Sequence, residues 1–245
     1  MGLTIHWDFR SSLLKADARA AMEKMRQRAL DLPFESVSEM VHFQGADAQF
    51  DPDNMKEPFR WLKIQALGRL WNKDGSMGWE FPPKEISGFE IVVAPGCGKM
   101  EVFLASYPKT TVVEDDGWGK SRRLRTHYVS WSGGGCCKTQ YASRPDFGGI
   151  ANFLRAHLSV CRLLDFAEEL GILAKVTDEG EFFHKRDVPA LVNEVGDWNA
   201  MIAASVGAFG NLLEAPIKSF PDFEHLEAKG AKRIDAWLRG LKEEG

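Results

Sequence analysis

The sequence is poor in the features that most readily announce a function. Only four of its 245 residues are cysteine, at positions 97, 136, 137 and 161. None forms a Cys-x-x-Cys pair, and four is too few for a disulfide framework in a chain of this size. They read as reduced thiols, and the chain as a cytoplasmic protein. There is no basic excess, since 31 Lys and Arg stand against 35 Asp and Glu. The resulting charge of −4 lacks the electrostatic footprint of a protein that binds nucleic acid or an anionic membrane. No apolar run reaches the roughly 18 residues of a membrane span. The opening Met1-Gly2-Leu3-Thr4-Ile5-His6 lacks the charged-then-apolar layout of a signal peptide. There is no Walker pattern, internal repeat or low-complexity linker.

What is present is the material of an ordinary folded core. Hydrophobic residues make up 44% of the chain, including eight Trp and sixteen Phe, so a large interior needs no covalent staple. Leu3, Ile5, Trp7 and Phe9 alternate with polar residues, which predicts a strand with one buried face. Leu14, Ala18, Met22, Met25 and Ala29 recur at helical spacing, with Ser11, Ser12 or Asp17 as the cap. Val37, Val41 and Phe43 suggest a second strand, and residues 44–58 a polar surface loop. Trp61 to Trp71 reads as strand, and 72–88 as a connection. Phe89–Val93 and Met100–Leu104 form a hairpin around Pro95-Gly96-Cys97-Gly98. A second hairpin is expected between 124–131 and 136–142, turning at Ser132-Gly133-Gly134-Gly135.

After residue 147 the period becomes helical. Phe153, Leu154, His157, Cys161 and Leu164 trace one face, and Gly171 sits where a C-terminal cap belongs. A short strand at 173–176 and a turn at Asp178-Glu179-Gly180 follow. Asp187 caps the next helix, whose stripe includes Leu191 and Val195. Pro216 and Pro221 break the chain before a last helix bearing Leu226 and Trp237. Antiparallel strands followed by grouped helices predict an α+β fold: a mostly antiparallel sheet with helices packed on one side. Residues 1–245 are read as one compact unit, with 147 the only place for a sub-boundary.

The segment from 136 to 161 concentrates chemistry. Lys138, Gln140 and Arg144 precede Gly148 and Gly149, where a helix begins. Free amides at a helix start favour an anion, so the corner 138–157 is the expected site for a small phosphate or carboxylate ligand. The plainer reading has Asp146 capping the helix and the charges in water. His157 and Cys161, four apart, can meet one ion. Two further ligands are not announced, and no metal is assigned. A thiol nucleophile at Cys136 or Cys137, with His127 or His157 as base, is the catalytic alternative. Adjacent strand residues point to opposite faces, so the two cysteines do not share one site. An interaction protein is the non-catalytic alternative, with an apolar patch expected around Trp61 to Trp79 or on the last helix and a protein as partner.

Five stretches resemble a group of bacterial hypothetical proteins of unassigned function. They are Gly2-Leu3-Thr4-Ile5-His6, Cys137-Lys138-Thr139-Gln140-Tyr141-Ala142, Asn152-Phe153-Leu154-Arg155-Ala156-His157-Leu158, Asp178-Glu179-Gly180 and Trp198-Asn199-Ala200-Met201-Ile202-Ala203. The resemblance implies a bacterial, cytoplasmic protein and carries no activity, cofactor or site residue.

Overall fold

The structure is a computed structural model that describes residues 3–71, 77–114, 121–128 and 130–209. In chain order the elements are β1 (Thr4–Ser11), α1 (Lys15–Leu30), β2 (Ser36–Val37), β3 (Val41–Gln44), α2 (Arg60–Gln65), β4 (Gly68–Trp71), β5 (Met77–Phe81), β6 (Glu85–Val92), β7 (Lys99–Ser106), β8 (Thr110–Glu114), β9 (Ser121–Arg125), β10 (Trp131–Lys138), α3 (Gly149–Glu169), β11 (Leu173–Asp178), α4 (Phe182–Lys185) and α5 (Val188–Phe209). The expected last helix and the breaks at Pro216 and Pro221 lie outside the described residues.

The fold is α+β. Seven strands form one sheet in the order β11-β1-β10-β7-β6-β2, with β3 also on β6. The pairings within it are antiparallel. Alternation along β1 buries Ile5, Trp7 and Phe9 and turns His6, Asp8 and Arg10 outward. On the buried face, α1 contributes Ala18, Met22, Met25 and Ala29, and α3 contributes Phe153, Val160, Cys161 and Leu164. This core runs from Leu3 to Val195 and so draws on both sides of residue 147.

Among the described residues, the opposite face is covered at one end. There α2 lays Leu62 and Ala66 on Ile86, Phe103 and Ala105. Over β11, β1 and the middle of β10 no helix among the described residues covers that face. No helix among the described residues is long and apolar enough to cross a membrane.

Several expectations hold in detail. Gly171 adopts φ +69°, its amide donates to Glu168 and that of Ile172 to Ala167, which is the double bond of a Schellman cap. Asp187 Oδ1 accepts from the Ala190 amide at 3.0 Å, capping α5. Others need correction. Trp61 to Trp71 is not one strand but α2 followed by β4, because Leu62 and Ala66 are spaced for a helix face over the second core. The connection at 72–88 contains β5 and the start of β6. Leu14 does not join the α1 stripe and stands 76% exposed, as the N-cap with no side-chain capping bond.

The largest correction concerns Ser132-Gly133-Gly134-Gly135. These residues do not turn. They are the middle of β10, paired with β1 from Thr4↔Lys138 to Ser11↔Trp131, while β9 pairs with β8. Glycine here answers crowding. A Cβ on Gly133 would lie 1.9 Å from the Phe103 carbonyl oxygen, and one on Gly135 would lie 2.9 Å from the Trp7 ring. Only a strand without side chains fits between those neighbours.

Candidate functional site

Two polar regions meet β10, one past its end and one at its middle. Past its end, the amides of Thr139 and Gln140 both donate to the Leu3 carbonyl, at 3.2 and 3.3 Å. The Gln140 side chain accepts from the Leu3 amide at 3.1 Å and donates to Asn199 Oδ1 at 3.4 Å. Asn199 in turn donates to the Ser143 hydroxyl at 3.1 Å. Thr139 Oγ1 and His157 Nδ1 share a bond of 2.9 Å. His157 Nε2 and Asp178 Oδ2 share one of 3.2 Å. Asp178 also accepts from the amides of Gly180 and Phe183, at 2.9 and 2.8 Å. Strand β1, the corner after β10, α3, the end of β11 and α5 are thus tied by one buried network.

The Asp178 carboxyl is out of contact with water, as is His157. Burial works against its charge. The hydrogen bond and charge of His157, with the Phe183 and Gly180 amides, outweigh that and hold the carboxyl below its ordinary range. Cys161, one turn along α3, adds its thiol. The ligand atoms of His157, Cys161 and Asp178 all lie within 4.8 Å of one another. Burial first, and the Asp178 charge second, push the Cys161 thiol up.

The residues expected to bind an anion at this corner are engaged with the chain itself. Gln140 is buried in the network. Arg144 pairs with Asp146 at 2.8 Å and lies over the Phe147 ring. Lys138 sits 4.8 Å from the Tyr141 ring centroid. The amides of Gly148 and Gly149 donate to the carbonyls of Pro145 and Arg144, each at 3.0 Å.

At the middle of β10 the outward face is a groove of about 550 Å³. Its floor is Ser132 to Cys136, and its walls carry Arg10 from β1, Lys175 from β11, and Arg69 and Trp71 from β4. Trp71 is 63% exposed and Trp61 58%. Arg69 is paired with Glu80 at 3.0 Å. Alternation fixes the wall. Asp8 faces Gly134 on one side and Lys175 on the other, and His6 faces Cys136 and Thr177. A cross-strand pair in this register has its Cβ atoms about 5 Å apart.

No protein-family model, curated protein or solved structure matches this chain. What it does must therefore be read from its own side chains.

The four cysteines occupy different surroundings. Cys136 is exposed in the groove, whereas Cys137 is buried on the other face. Burial, then Glu101, push the Cys136 thiol up, with Lys138 opposing. Cys97 hydrogen-bonds Cys137, which raises the Cys137 thiol and lowers that of Cys97 against the effect of burial. His127, at φ +61°, lines a neighbouring hollow with Arg125 and Tyr128. His157 lies in the core. The histidine brought to Cys136 is instead His6, which sequence reasoning missed. Its outward place in β1 was visible, but its partner strand lies 130 residues away along the chain.

Proposed function

We propose that the protein binds a small anionic molecule and that the outward groove over β1, β10 and β11 holds it. The observation that carries this reading is the pairing of a bare floor with free cations. Gly134 adds no side chain to the floor, Asp8 is the one carboxylate among the lining residues, and Arg10 and Lys175 flank it with no ion pair among the described residues. An open groove lets such cations meet a carboxylate or phosphate without first breaking an ion pair. Trp71 offers a flat apolar wall to the rest of the ligand. The corner at 138–157 is the poorer host, since the Gly148 and Gly149 amides already have acceptors and Arg144 is held by Asp146.

The test is calorimetry with inorganic phosphate, citrate and adenosine monophosphate, run on the native chain and on Arg10→Glu/Lys175→Glu. Saturable binding of at least one probe, lost in the variant, supports the reading. A native chain that binds none of them defeats it.

One observation favours a second reading, thiol chemistry at Cys136: His6 stands directly opposite. Because the thiol is pushed up, His6 must act as its base. Iodoacetamide should then label Cys136 several-fold more slowly in His6→Gln than in the native chain. Equal rates would remove this reading.

A further inference from the structure

We infer that His157, Cys161 and Asp178 form a structural zinc site in the interior, at the junction of α3 and the end of β11. The three side chains are of the types that bind zinc, and their ligand atoms lie within 4.8 Å of one another. The His157 Nε2 to Asp178 Oδ2 separation is 3.2 Å. Two ligands bound tetrahedrally at about 2.0–2.1 Å lie about 3.3 Å apart, so this edge already fits. The protein supplies three ligand atoms, and because the two oxygens of one carboxylate are too close to fill two corners of a tetrahedron, Asp178 Oδ1 can add only a longer fourth contact.

The surroundings hold each ligand in the orientation a metal needs. His157 must offer Nε2 as a bare lone pair, which puts its proton on Nδ1. Thr139 Oγ1 lies 2.9 Å from Nδ1 and can accept that proton's bond. Its own hydroxyl hydrogen then turns to the Leu3 carbonyl, 3.4 Å away. Both oxygens of Asp178 are steadied by backbone amides, Oδ1 by Gly180 and Oδ2 by Phe183. Such outer contacts fix the tautomer of a ligating histidine and the rotation of a ligating carboxylate.

Charge gives the same answer. Zn²⁺ takes the carboxylate, the imidazole and the thiolate, and the thiol proton leaves to solvent. The buried assembly is then neutral, which removes the main cost of holding charge in the interior. Because all three residues are buried, the ion is captured as the chain folds rather than through an open channel.

The experiment is metal analysis of the full chain refolded from urea with Zn²⁺ and desalted. The native chain should retain about one zinc, and Cys161→Ala less than a tenth of that. A native chain that refolds and keeps none overturns the inference, as does a Cys161→Ala chain that keeps its zinc, since capture would then be elsewhere. Should Cys161→Ala not fold, refolding the native chain with Co²⁺ decides. Tetrahedral visible bands with a near-ultraviolet thiolate-to-cobalt transition support the site. Their absence rejects it.

Discussion

Just past the end of β10, polar side chains turn inward, and the chain supplies their partners. At the middle of the same strand, on the opposite face, Arg10 and Lys175 border an open floor. Both regions are built on β1, and both are rich in groups that suggest binding. The difference lies in what each group already touches. Gln140 bonds Leu3 and Asn199, and Asp178 gathers His157, Gly180 and Phe183, so these residues hold elements together. The groove cations are solvated and cost little to redirect toward a ligand. A cluster of functional residue types therefore says where chemistry is dense, and the bonds its members already make say whether it is open to a ligand arriving from solvent.

The largest effect that could break this contrast is at Asp178. Asp178→Ala leaves the Gly180 and Phe183 amides and His157 without their acceptor in a dry interior. Removing one partner of a buried ionic set costs about 3–5 kcal/mol. Urea denaturation should show that loss, and a change below about 1 kcal/mol would mean the network does not hold the fold.

A second effect depends on pH. Glu101 lies on the outward face of β7 with Glu90 opposite. Burial chiefly, then Glu90, raise its carboxyl from 4.5 to about 7, against its own backbone amide and Lys99. Between those values the folded chain keeps a proton that the unfolded chain has released. Stability contributed by the neutral form is present at low pH and is lost as pH rises through about 7. Glu101→Gln should match the native chain near pH 4 and exceed it by about 2 kcal/mol near pH 8, after allowance for partial contact with water. Melting curves at the two pH values check this, and equal gains at both would place the effect elsewhere than in titration.

Local signals carried much of the fold. Alternation at Leu3–Phe9, the stripe through Phe153 and Leu164, the Gly171 cap and the Asp187 cap each depend on neighbours a few residues away, and each is found as expected. The misreadings share a cause. Gly133 to Gly135 have the composition of a turn, but their reason is the Phe103 backbone and the Trp7 ring, groups distant in sequence. Trp61 to Trp71 is apolar enough for a strand until a second core appears beneath Leu62 and Ala66. The site was legible only in part. His157 and Cys161 were visible as a helical pair, whereas Asp178 read as a turn residue because its approach to His157 requires β11 to pair with β1. His6 and Cys136 likewise meet only through the register of two strands far apart in the chain.

The smallest expected change in stability comes from the groove. Arg10 and Lys175 are exposed, and reversing them leaves no buried group unpaired. Arg10→Glu/Lys175→Glu should therefore unfold within about 1 kcal/mol of the native chain, the main cost being a second carboxylate opposite Asp8. For a ligand that both cations touch, two reversals replace attraction with repulsion. An anionic probe such as citrate should then bind at least about tenfold more weakly, a difference of about 1.4 kcal/mol. The same probe should be insensitive to Lys138→Glu and Arg144→Glu at the corner beyond β10. A probe whose affinity follows those two substitutions, and ignores Arg10 and Lys175, would reverse the assignment. The corner would then be the ligand site, and the groove a solvated face of the sheet.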